Sequence, residues 1–297
     1  MTMTASTPRK KTEDDITTEV LRRFDATSDP RLRQIVQGLV KHLHAFVREV
    51  EPTEAEWMAG IEFLTAVGQK CAANRQEFIL LSDTLGVSIL VDVINHRKPV
   101  GASETTLIGP FFRDGAPELP AGGNMAEADP TGQPTLISGR VTDLDGTPIA
   151  NALLDVWQSS SEGLYDSQMG EGEELHMRAK YRSDANGDYL VRTTRPKHYP
   201  VPVDGPVGRM LDVTGRHPWR PAHVHFVVSA PGYETLVTHI FDSKSKYLDS
   251  DTVFAVKDSL ITEFAEQTTQ DDTAKKLGVA TPYAKVHYDF VLKSSIG

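Results

Sequence analysis

The sequence predicts an α+β protein, in which an N-terminal helical domain precedes a mainly antiparallel β-sandwich. Over the first hundred residues, apolar side chains recur at spacings of three and four, the period of an amphipathic helix. After about residue 105, short β-prone runs alternate with turn signals such as Pro231-Gly232, and no helical pattern lies between them. The predicted domains are therefore a helical domain, residues 1–105, and a β-sandwich, residues 106–297.

The helices are predicted from their start signals and their apolar stripes. Asp29-Pro30 is a typical helix start, because aspartate caps the first free N–H groups and proline has no N–H to satisfy. A capping-box pattern at Thr53 and Glu56 opens a second helix, and an apolar segment over residues 77–95 is interrupted at Ser82-Asp83 and at Gly86. The stripe after Asp29 consists of Leu32, Ile35, Val36, Leu39, Leu43, Phe46, Val47 and Val50. We expect part of this surface to form an oligomer interface.

The strands are predicted from alternation and turn residues. Asn186-Gly187 predicts a hairpin between the β-prone runs on its two sides. Near the C-terminal end, alternation places Val286, Tyr288, Phe290 and Leu292 on one face, as in a half-buried strand.

Composition excludes several classes of protein. The apolar content of 39% and the charged content of 24% are ordinary for a soluble globular chain, and a net charge of -10 argues against a nucleic-acid partner. No signal peptide is apparent, and the longest apolar run, around residues 88–94, is too short to cross a bilayer. The one cysteine, Cys71, excludes an internal disulfide. We therefore expect a cytoplasmic protein that does not insert into membranes.

The stretch Arg220-Pro221-Ala222-His223-Val224-His225 carries the clearest chemical signal. Side chains alternate along a strand, so His223 and His225 point the same way and can hold one metal ion; the alternative is ring packing beside aliphatic side chains. Tyr165 and Tyr199 stand in turn-rich segments earlier in the chain. G-x-S-x-G, H-E-x-x-H and phosphate-binding glycine patterns do not occur in the sequence.

The order and spacing of several motifs resemble those of the intradiol ring-cleaving dioxygenases, non-haem Fe(III) enzymes that open catechols between the two hydroxyl-bearing carbons. The motifs are Gly109-Pro110-Phe111, Asp155-Val156-Trp157-Gln158, Gly163-Leu164-Tyr165, Tyr181-Arg182-Ser183-Asp184-Ala185-Asn186-Gly187, Tyr199-Pro200 and Arg220-Pro221-Ala222-His223-Val224-His225. The resemblance runs from the N-terminal helices to about residue 260. Within this family the chain is most similar to the hydroxyquinol 1,2-dioxygenases, as Trp157-Gln158 and residues 199–206 indicate.

The resemblance implies a metal site and a reaction. One Fe(III) per subunit would be held by Tyr165, Tyr199, His223 and His225, and two phenolates with one hydroxide would balance its charge. Tyr199 would take a substrate proton, and Arg220 would stabilise negative charge on the ring unless it only forms a structural salt bridge. The implied reaction is cleavage of hydroxyquinol (benzene-1,2,4-triol) by O2 to maleylacetate (3-hydroxy-cis,cis-muconate) in aromatic catabolism. The alternative is a catechol or chlorocatechol 1,2-dioxygenase that gives cis,cis-muconates.

The resemblance also implies a substrate pocket and a partner subunit. The pocket residues would be Leu80, Asp83, Leu107, Ile108, Gly109, Pro110, Val201 and Arg220. Asp83 would accept a hydrogen bond from the third ring hydroxyl, unless Ser82 or Asp83 simply caps a helix. Residues 1–105 would be the family's linker and dimerisation domain, with a bound phospholipid at the homodimer interface, and residues 106–297 would be the catalytic domain.

Two other classes of function remain open from the residues alone. One is a metallohydrolase built on His223 and His225, although Val227 stands where an H-x-H-x-D pattern has its aspartate. The other is a β-sandwich binding module without catalysis, whose helices make a dimer. Colour distinguishes them, because tyrosinate bound to Fe(III) absorbs visible light whereas a zinc hydrolase or an empty module is colourless.

Overall fold

The structure, a computed structural model, describes residues 12–72, 75–168 and 175–295. Contacts between Cα positions divide the chain into two compact units, with the division between Thr65 and Ala66. Within the described ranges, no helix combines the length and the apolar character that crossing a membrane requires.

The helical unit begins with capped helices, as the sequence predicts. The Asp29 side chain accepts hydrogen bonds from the N–H groups of Arg31 at 2.8 Å and Leu32 at 3.2 Å, so the predicted helix start is confirmed. The capping box is also confirmed, since the Thr53 N–H donates to Glu56 Oε2 at 2.8 Å and the Glu56 N–H to Thr53 Oγ1 at 3.3 Å. The helices are α1 (Glu13–Phe24), α2 (Pro30–Val50) and α3 (Glu54–Lys70), of which α3 continues past the division.

The apolar stripe of this unit is exposed. Neither α1 nor α2 contains a buried residue. In α2 and α3, large apolar side chains are between 44% and 58% exposed. This exposed apolar set consists of Leu32, Ile35, Leu39, Leu43, Phe46, Val47, Val50, Trp57, Met58, Ile61 and Leu64.

Two further helices, α4 (Glu77–Thr84) and α5 (Val87–Asn95), open the second unit. The predicted break at Gly86 is confirmed, because Gly86 has a φ of 72° and lies between the two helices. The predicted interruption at Ser82-Asp83 is wrong, since both residues lie inside α4. The Ser82 hydroxyl hydrogen-bonds the hydroxyl of Ser88 at 2.8 Å, so its polar group is satisfied without ending the helix.

Among the described residues, the strands of this unit form two five-stranded sheets and one two-stranded ribbon. The strands are β1 (Pro134–Asp143), β2 (Leu153–Gln158), β3 (Arg178–Arg182), β4 (Asp188–Thr194), β5 (Tyr199–Pro200), β6 (Trp219–Arg220), β7 (His223–Ser229), β8 (Leu236–Asp242), β9 (Ile261–Thr262), β10 (Ala265–Gln267), β11 (Tyr283–His287) and β12 (Phe290–Leu292). One sheet has the order β10-β11-β1-β12 with β4 also on β1, and the other has the order β3-β2-β7-β8-β9. The ribbon pairs β5 with β6.

The predicted sandwich is confirmed, although its sheets are mixed. Strand β1 runs parallel to β11 and β12, and β8 runs parallel to β9, while the other pairs are antiparallel. Two short helices, α6 (Pro206–Val213) and α7 (Asp272–Lys276), lie between strands, which the sequence analysis did not predict. Both have start signals, Pro206 at the first position of α6 and an Asp271 carboxylate that accepts the Ala274 N–H before α7.

The hairpin predicted at Asn186-Gly187 is wrong. The tight turn forms, with the Gly187 N–H donating to the Asp184 carbonyl at 3.0 Å. However, β3 pairs with β2 and β4 pairs with β1, so this turn carries the chain from one sheet to the other. A turn fixes only the local reversal, whereas burial selects the partner; Tyr181 and Tyr189, one from each strand, both enter the shared core.

That core fills the space between the two sheets with fully buried side chains such as Leu154, Phe226 and Phe290. The predicted C-terminal face is confirmed for Val286, Phe290 and Leu292, which are all buried. The run is broken between β11 and β12, which lie end to end beside β1.

Candidate metal centre and active site

Four side chains bring their polar atoms to one buried place. His223 and His225 come from β7, Tyr199 begins β5, and Tyr165 lies in the turn after β2. Tyr165 Oη lies 3.2 Å from Tyr199 Oη and 3.0 Å from His225 Nε2. His223 Nε2 lies 3.4 Å from Tyr199 Oη and 3.1 Å from His225 Nε2. The two phenol oxygens and two imidazole nitrogens therefore form a closed four-membered arrangement.

Sheet register explains this convergence. Alternation along β7 turns both histidines to the same face. Trp157 of β2 is paired with His225, and their rings stack at a centroid distance of 4.5 Å. In the ribbon, Tyr199 is paired with Arg220, which places the arginine beside the four donor atoms. The turn before Tyr165 needs Gly163, which has a φ of 85° and whose added Cβ would lie 3.3 Å from the Tyr199 Cβ.

The hydrogen bonding of His223 fixes its tautomer. Its Nδ1 lies 2.7 Å from the backbone carbonyl of Pro221, which can only accept. Nδ1 therefore carries the proton, and Nε2 presents its lone pair to Tyr199 and His225. This is the tautomer that a metal-binding imidazole requires.

Burial favours the uncharged forms of Tyr165, His223 and His225. Burial raises the pKa of the Tyr165 phenol well above its ordinary value of 10, and lowers the pKa values of His223 and His225 well below 6.5. The buried Nδ1 atom of His225 has no hydrogen-bond partner among the described residues. A distance of about 3 Å between donor atoms is expected when each of them lies about 2.1 Å from a shared ion. The arrangement is thus suited to a cation bound between the donors.

Arg220 adds a permanent positive charge at this place. It is 5% exposed, and its Nη1 donates to Tyr199 Oη at 3.2 Å. Its Nε donates to Asp251 Oδ1 at 3.2 Å. Burial acts to lower the pKa of the Arg220 guanidinium, but the charge and hydrogen bond of Asp251, together with the charges of Tyr199 and Tyr165, outweigh burial and raise that pKa. Arg220 therefore forms the salt bridge that was its structural alternative and also contacts a proposed metal ligand.

Three predicted pocket residues are related to this centre by charge, by contact or by position in the chain. Asp83 is buried, and the charges of both Arg220 and Asp251 act on its pKa, which burial raises. An added Cβ on Gly109 would lie 3.4 Å from His225 Cε1, so Gly109 lies against the ligand ring. Val201 is buried, and its N–H donates to the carbonyl of Pro218 beside the ribbon.

The other predicted pocket residues differ in how far they are buried. Leu80 is buried one turn before Asp83 on α4. Leu107 is half-buried, whereas Ile108 and Pro110 are exposed on either side of Gly109. No cap is formed by Asp83, because α5 begins after Gly86 without a side-chain cap. The alternative that Asp83 only caps a helix is therefore wrong.

Sequence reasoning missed two residues at this centre, His239 and Asp251. His239 is fully buried on β8, paired with His225, with ring centroids 4.1 Å apart. Together with His223, these rings form a group of three imidazoles. A signal for His239 existed, because His225 and His239 both lie seven residues from Gly232 (232 − 225 and 239 − 232), the turn between their strands. Asp251 stands in an irregular segment, and no sequence pattern indicates it.

A mixed β-sandwich that brings two buried phenols and two buried imidazoles to one place is suited to binding a single metal ion. Residues 107–294 match the family described as "Dioxygenase", and residues 29–103 match the family described as "Catechol dioxygenase N terminus". The chain belongs to the intradiol ring-cleavage dioxygenase family, as the sequence motifs indicated.

Individual relatives agree with this assignment. The chain is 50% identical over 275 residues, 92% of each protein, to a hydroxyquinol 1,2-dioxygenase of Rhizobium sp. (strain MTP-10005). The crystal structure of hydroxyquinol 1,2-dioxygenase from Pseudomonas putida DLL-E4 is similar with a TM-score of 0.90 and 51% identity, covering 95% of this chain and 99% of that one. The catechol 1,2-dioxygenase of Acinetobacter radioresistens is similar with a TM-score of 0.83 at 27% identity, covering 96% and 94%.

Proposed function

We propose that this intradiol dioxygenase opens the ring of hydroxyquinol with O2 to give maleylacetate. Both atoms of O2 enter the product and no carbon or hydrogen is lost, so the reaction requires no other oxidant or reductant. The observation that carries the proposal is the buried arrangement of Tyr165, Tyr199, His223 and His225 beside Arg220. The greater identity to hydroxyquinol 1,2-dioxygenases than to the catechol enzyme favours the triol.

The four donors fit one Fe(III) ion. Imidazole nitrogen and phenolate oxygen are ligands that iron accepts, and two phenolate charges suit the ferric state. The Nε2 atoms of His223 and His225 lie 3.1 Å apart, close enough for both to coordinate one ion. When bound, ferric iron would withdraw electron density from a coordinated ring diol and make a ring carbon reactive towards O2.

Tyr199 and Arg220 would move the substrate proton and balance the charge. The Tyr199 phenolate, once released, is a base at Oη that takes a proton from a substrate hydroxyl. Arg220 Nη1 lies 3.2 Å from that oxygen, so its charge stabilises the phenolate before transfer and negative charge on the substrate afterwards. The burial of Arg220 strengthens this effect because water does not screen it.

Asp83 and Gly109 would select and admit the ring. A buried carboxylate can accept a hydrogen bond from the third hydroxyl of hydroxyquinol, which catechol lacks. Gly109 would let the backbone come close to the site, since an added Cβ would lie 3.4 Å from His225 Cε1 and its φ of 75° disfavours other residues. The alternative substrate, catechol or a chlorocatechol, would leave Asp83 without that hydrogen bond.

The test is O2 uptake by the iron-loaded protein with hydroxyquinol and with catechol at equal concentration. We expect a higher kcat/KM with hydroxyquinol, and maleylacetate as its product. Asp83→Asn should lower that preference by about tenfold, the size of one lost hydrogen bond to a charged group. Asp92→Asn, at an equally buried aspartate that bonds Thr105, is the matched control and should keep the preference. Faster turnover of catechol by the wild type would contradict the substrate assignment.

We also propose a homodimer formed through the exposed apolar set, with a phospholipid bound at that interface. The eleven large apolar side chains of this set are too extensive to remain in water without a partner. A channel between such helices would suit acyl chains. A cytoplasmic location remains a prediction from the sequence.

A further inference from the structure

Asp251 holds one edge of the Arg220 guanidinium. Its Oδ1 accepts from Arg220 Nε at 3.2 Å, and its Oδ2 lies 3.5 Å from Nη2. The remaining nitrogen, Nη1, is left to contact Tyr199 Oη at 3.2 Å and His223 Nε2 at 3.3 Å. The contacts with Asp251 thus fix the orientation of the planar guanidinium and leave its Nη1 directed at the donor atoms.

Asp251 is itself fixed by the backbone. Its two carboxylate oxygens accept the N–H groups of Val253 at 3.4 Å and Ala255 at 3.1 Å. The side chain is buried, so its carboxylate has little freedom to follow a moving arginine. A carboxylate held in this way sets the position of its partner.

Asp83 is a second buried carboxylate within electrostatic reach of Arg220. The charges of Arg220 and Asp251 both act on it, yet the ion pair of Arg220 is formed with Asp251. A buried guanidinium that loses its partner is strongly destabilised until it finds another carboxylate. Asp83 is therefore the competitor that Arg220 would meet if Asp251 were neutral.

We propose that Asp251 is a positioning residue that keeps Arg220 directed at Tyr199 and away from Asp83. It thereby leaves the Asp83 carboxylate available to substrate. This inference rests on the proposed function, in which Tyr199 binds iron and Asp83 binds the third hydroxyl. Asp251 itself touches neither the substrate nor the metal ligands.

The experiment compares the iron-loaded wild type with Asp251→Asn, Asp83→Asn and the double variant. Catechol is the decisive substrate, because its turnover does not depend on Asp83. Asp251→Asn should lower kcat with catechol by about tenfold or more, since Arg220 turns to Asp83 and leaves Tyr199. The double variant should recover at least about threefold of that loss, because no carboxylate is left to draw Arg220 away. The visible band of the ferric protein should shift in Asp251→Asn and return towards the wild type in the double variant.

Asp242→Asn is the matched control, because Asp242 is also buried, pairs with Arg195 and accepts a backbone N–H. In Asp242→Asn, kcat should stay within about twofold of the wild type, and the visible band should not shift. If Asp251→Asn does not fold, Asp251→Ser removes the same charge with a smaller side chain and serves in its place.

Two results would overturn the inference: an unchanged kcat and band in Asp251→Asn, or a double variant no faster with catechol than Asp251→Asn alone. A wild-type protein that shows no visible band and cleaves neither substrate would overturn the proposed function, and this inference with it.

Discussion

The helical unit and the sheet region use their apolar residues in opposite ways. The exposed apolar set of α2 and α3 consists of eleven large side chains that are 44–58% exposed, whereas the apolar side chains between the two sheets are almost all fully buried. The sheet core fixes strand register and thereby places the four proposed ligands within hydrogen-bonding distance of one another. Helices α1 and α2 contain no buried residue, which is the basis for proposing a partner subunit on their apolar surface.

Because of this difference, ring cleavage and dimer formation should be separable by mutation. Changes at the metal centre should abolish chemistry and spare assembly, because the donor atoms are buried among the sheets. Changes in the exposed apolar set should do the reverse.

The largest expected effect follows from removing a ligand. His223→Ala should lower iron occupancy and reduce ring cleavage by about 10³-fold or more, because three donors remain of the four proposed. Iron content and O2 uptake are the measurements, and the dimer should persist in sedimentation. His287→Ala, at a mostly exposed histidine of β11, is the control and should retain both iron and activity. Full activity in His223→Ala would exclude it from the ligand set.

Tyr199→Phe tests whether the Tyr199 phenolate acts as the base that takes a substrate proton. It removes the oxygen that contacts Arg220 and the Tyr165 hydroxyl, so turnover should fall by about 100-fold. The visible band of the ferric protein should change as well, because one tyrosinate is lost. Wild-type colour and turnover in this variant would contradict both roles assigned to Tyr199.

Leu39→Asp tests the proposed dimer interface on the exposed apolar set of the helical unit. Leu39 is 58% exposed on α2, and a carboxylate there should disfavour burial against a second subunit. We expect a monomer in sedimentation and ring cleavage within about threefold of the wild type, because the donor residues are unchanged. Lys41→Asp introduces the same residue outside the exposed apolar set and should remain dimeric. A dimeric Leu39→Asp would refute the proposed interface.

The smallest expected effect concerns the stability contributed by Asp83. Burial raises the pKa of Asp83 in the folded state, so the folded protein disfavours its ionised form. Protonated Asp83 therefore makes its full contribution to the free energy of unfolding at pH values below the pKa of the unfolded state. That contribution is lost as the pH rises through the pKa of the folded state. At pH 7 Asp83→Asn should raise Tm, by roughly 2–4 °C for each kcal/mol of removed cost, and the gain should vanish near pH 4. An equal or lower Tm at pH 7 would show that ionised Asp83 is well solvated.

Local signals in the sequence predicted the elements well. Asp29-Pro30 and Thr53 marked helix starts because capping depends on residues a few positions apart. The shared orientation of His223 and His225 followed from strand alternation alone. The proximity of Tyr165 and Tyr199 to these histidines came from family resemblance, since nothing local joins the segments.

Long-range pairing was the part that the sequence did not predict. The Asn186-Gly187 turn was recognised, but its strands belong to different sheets, because core burial rather than turn type selects partners. Asp251 reaches Arg220 from an irregular segment that carries no periodicity. His239 was detectable only by counting outwards from the turn at Gly232 to the strand position opposite His225.

The most direct test of the central claim is an iron titration of the protein followed by visible absorption, with and without hydroxyquinol under exclusion of O2. If Tyr165, Tyr199, His223 and His225 hold Fe(III), absorption should saturate at one iron per chain, and hydroxyquinol should change the band. Saturation with a colourless protein, or iron uptake that does not saturate, would contradict the claim.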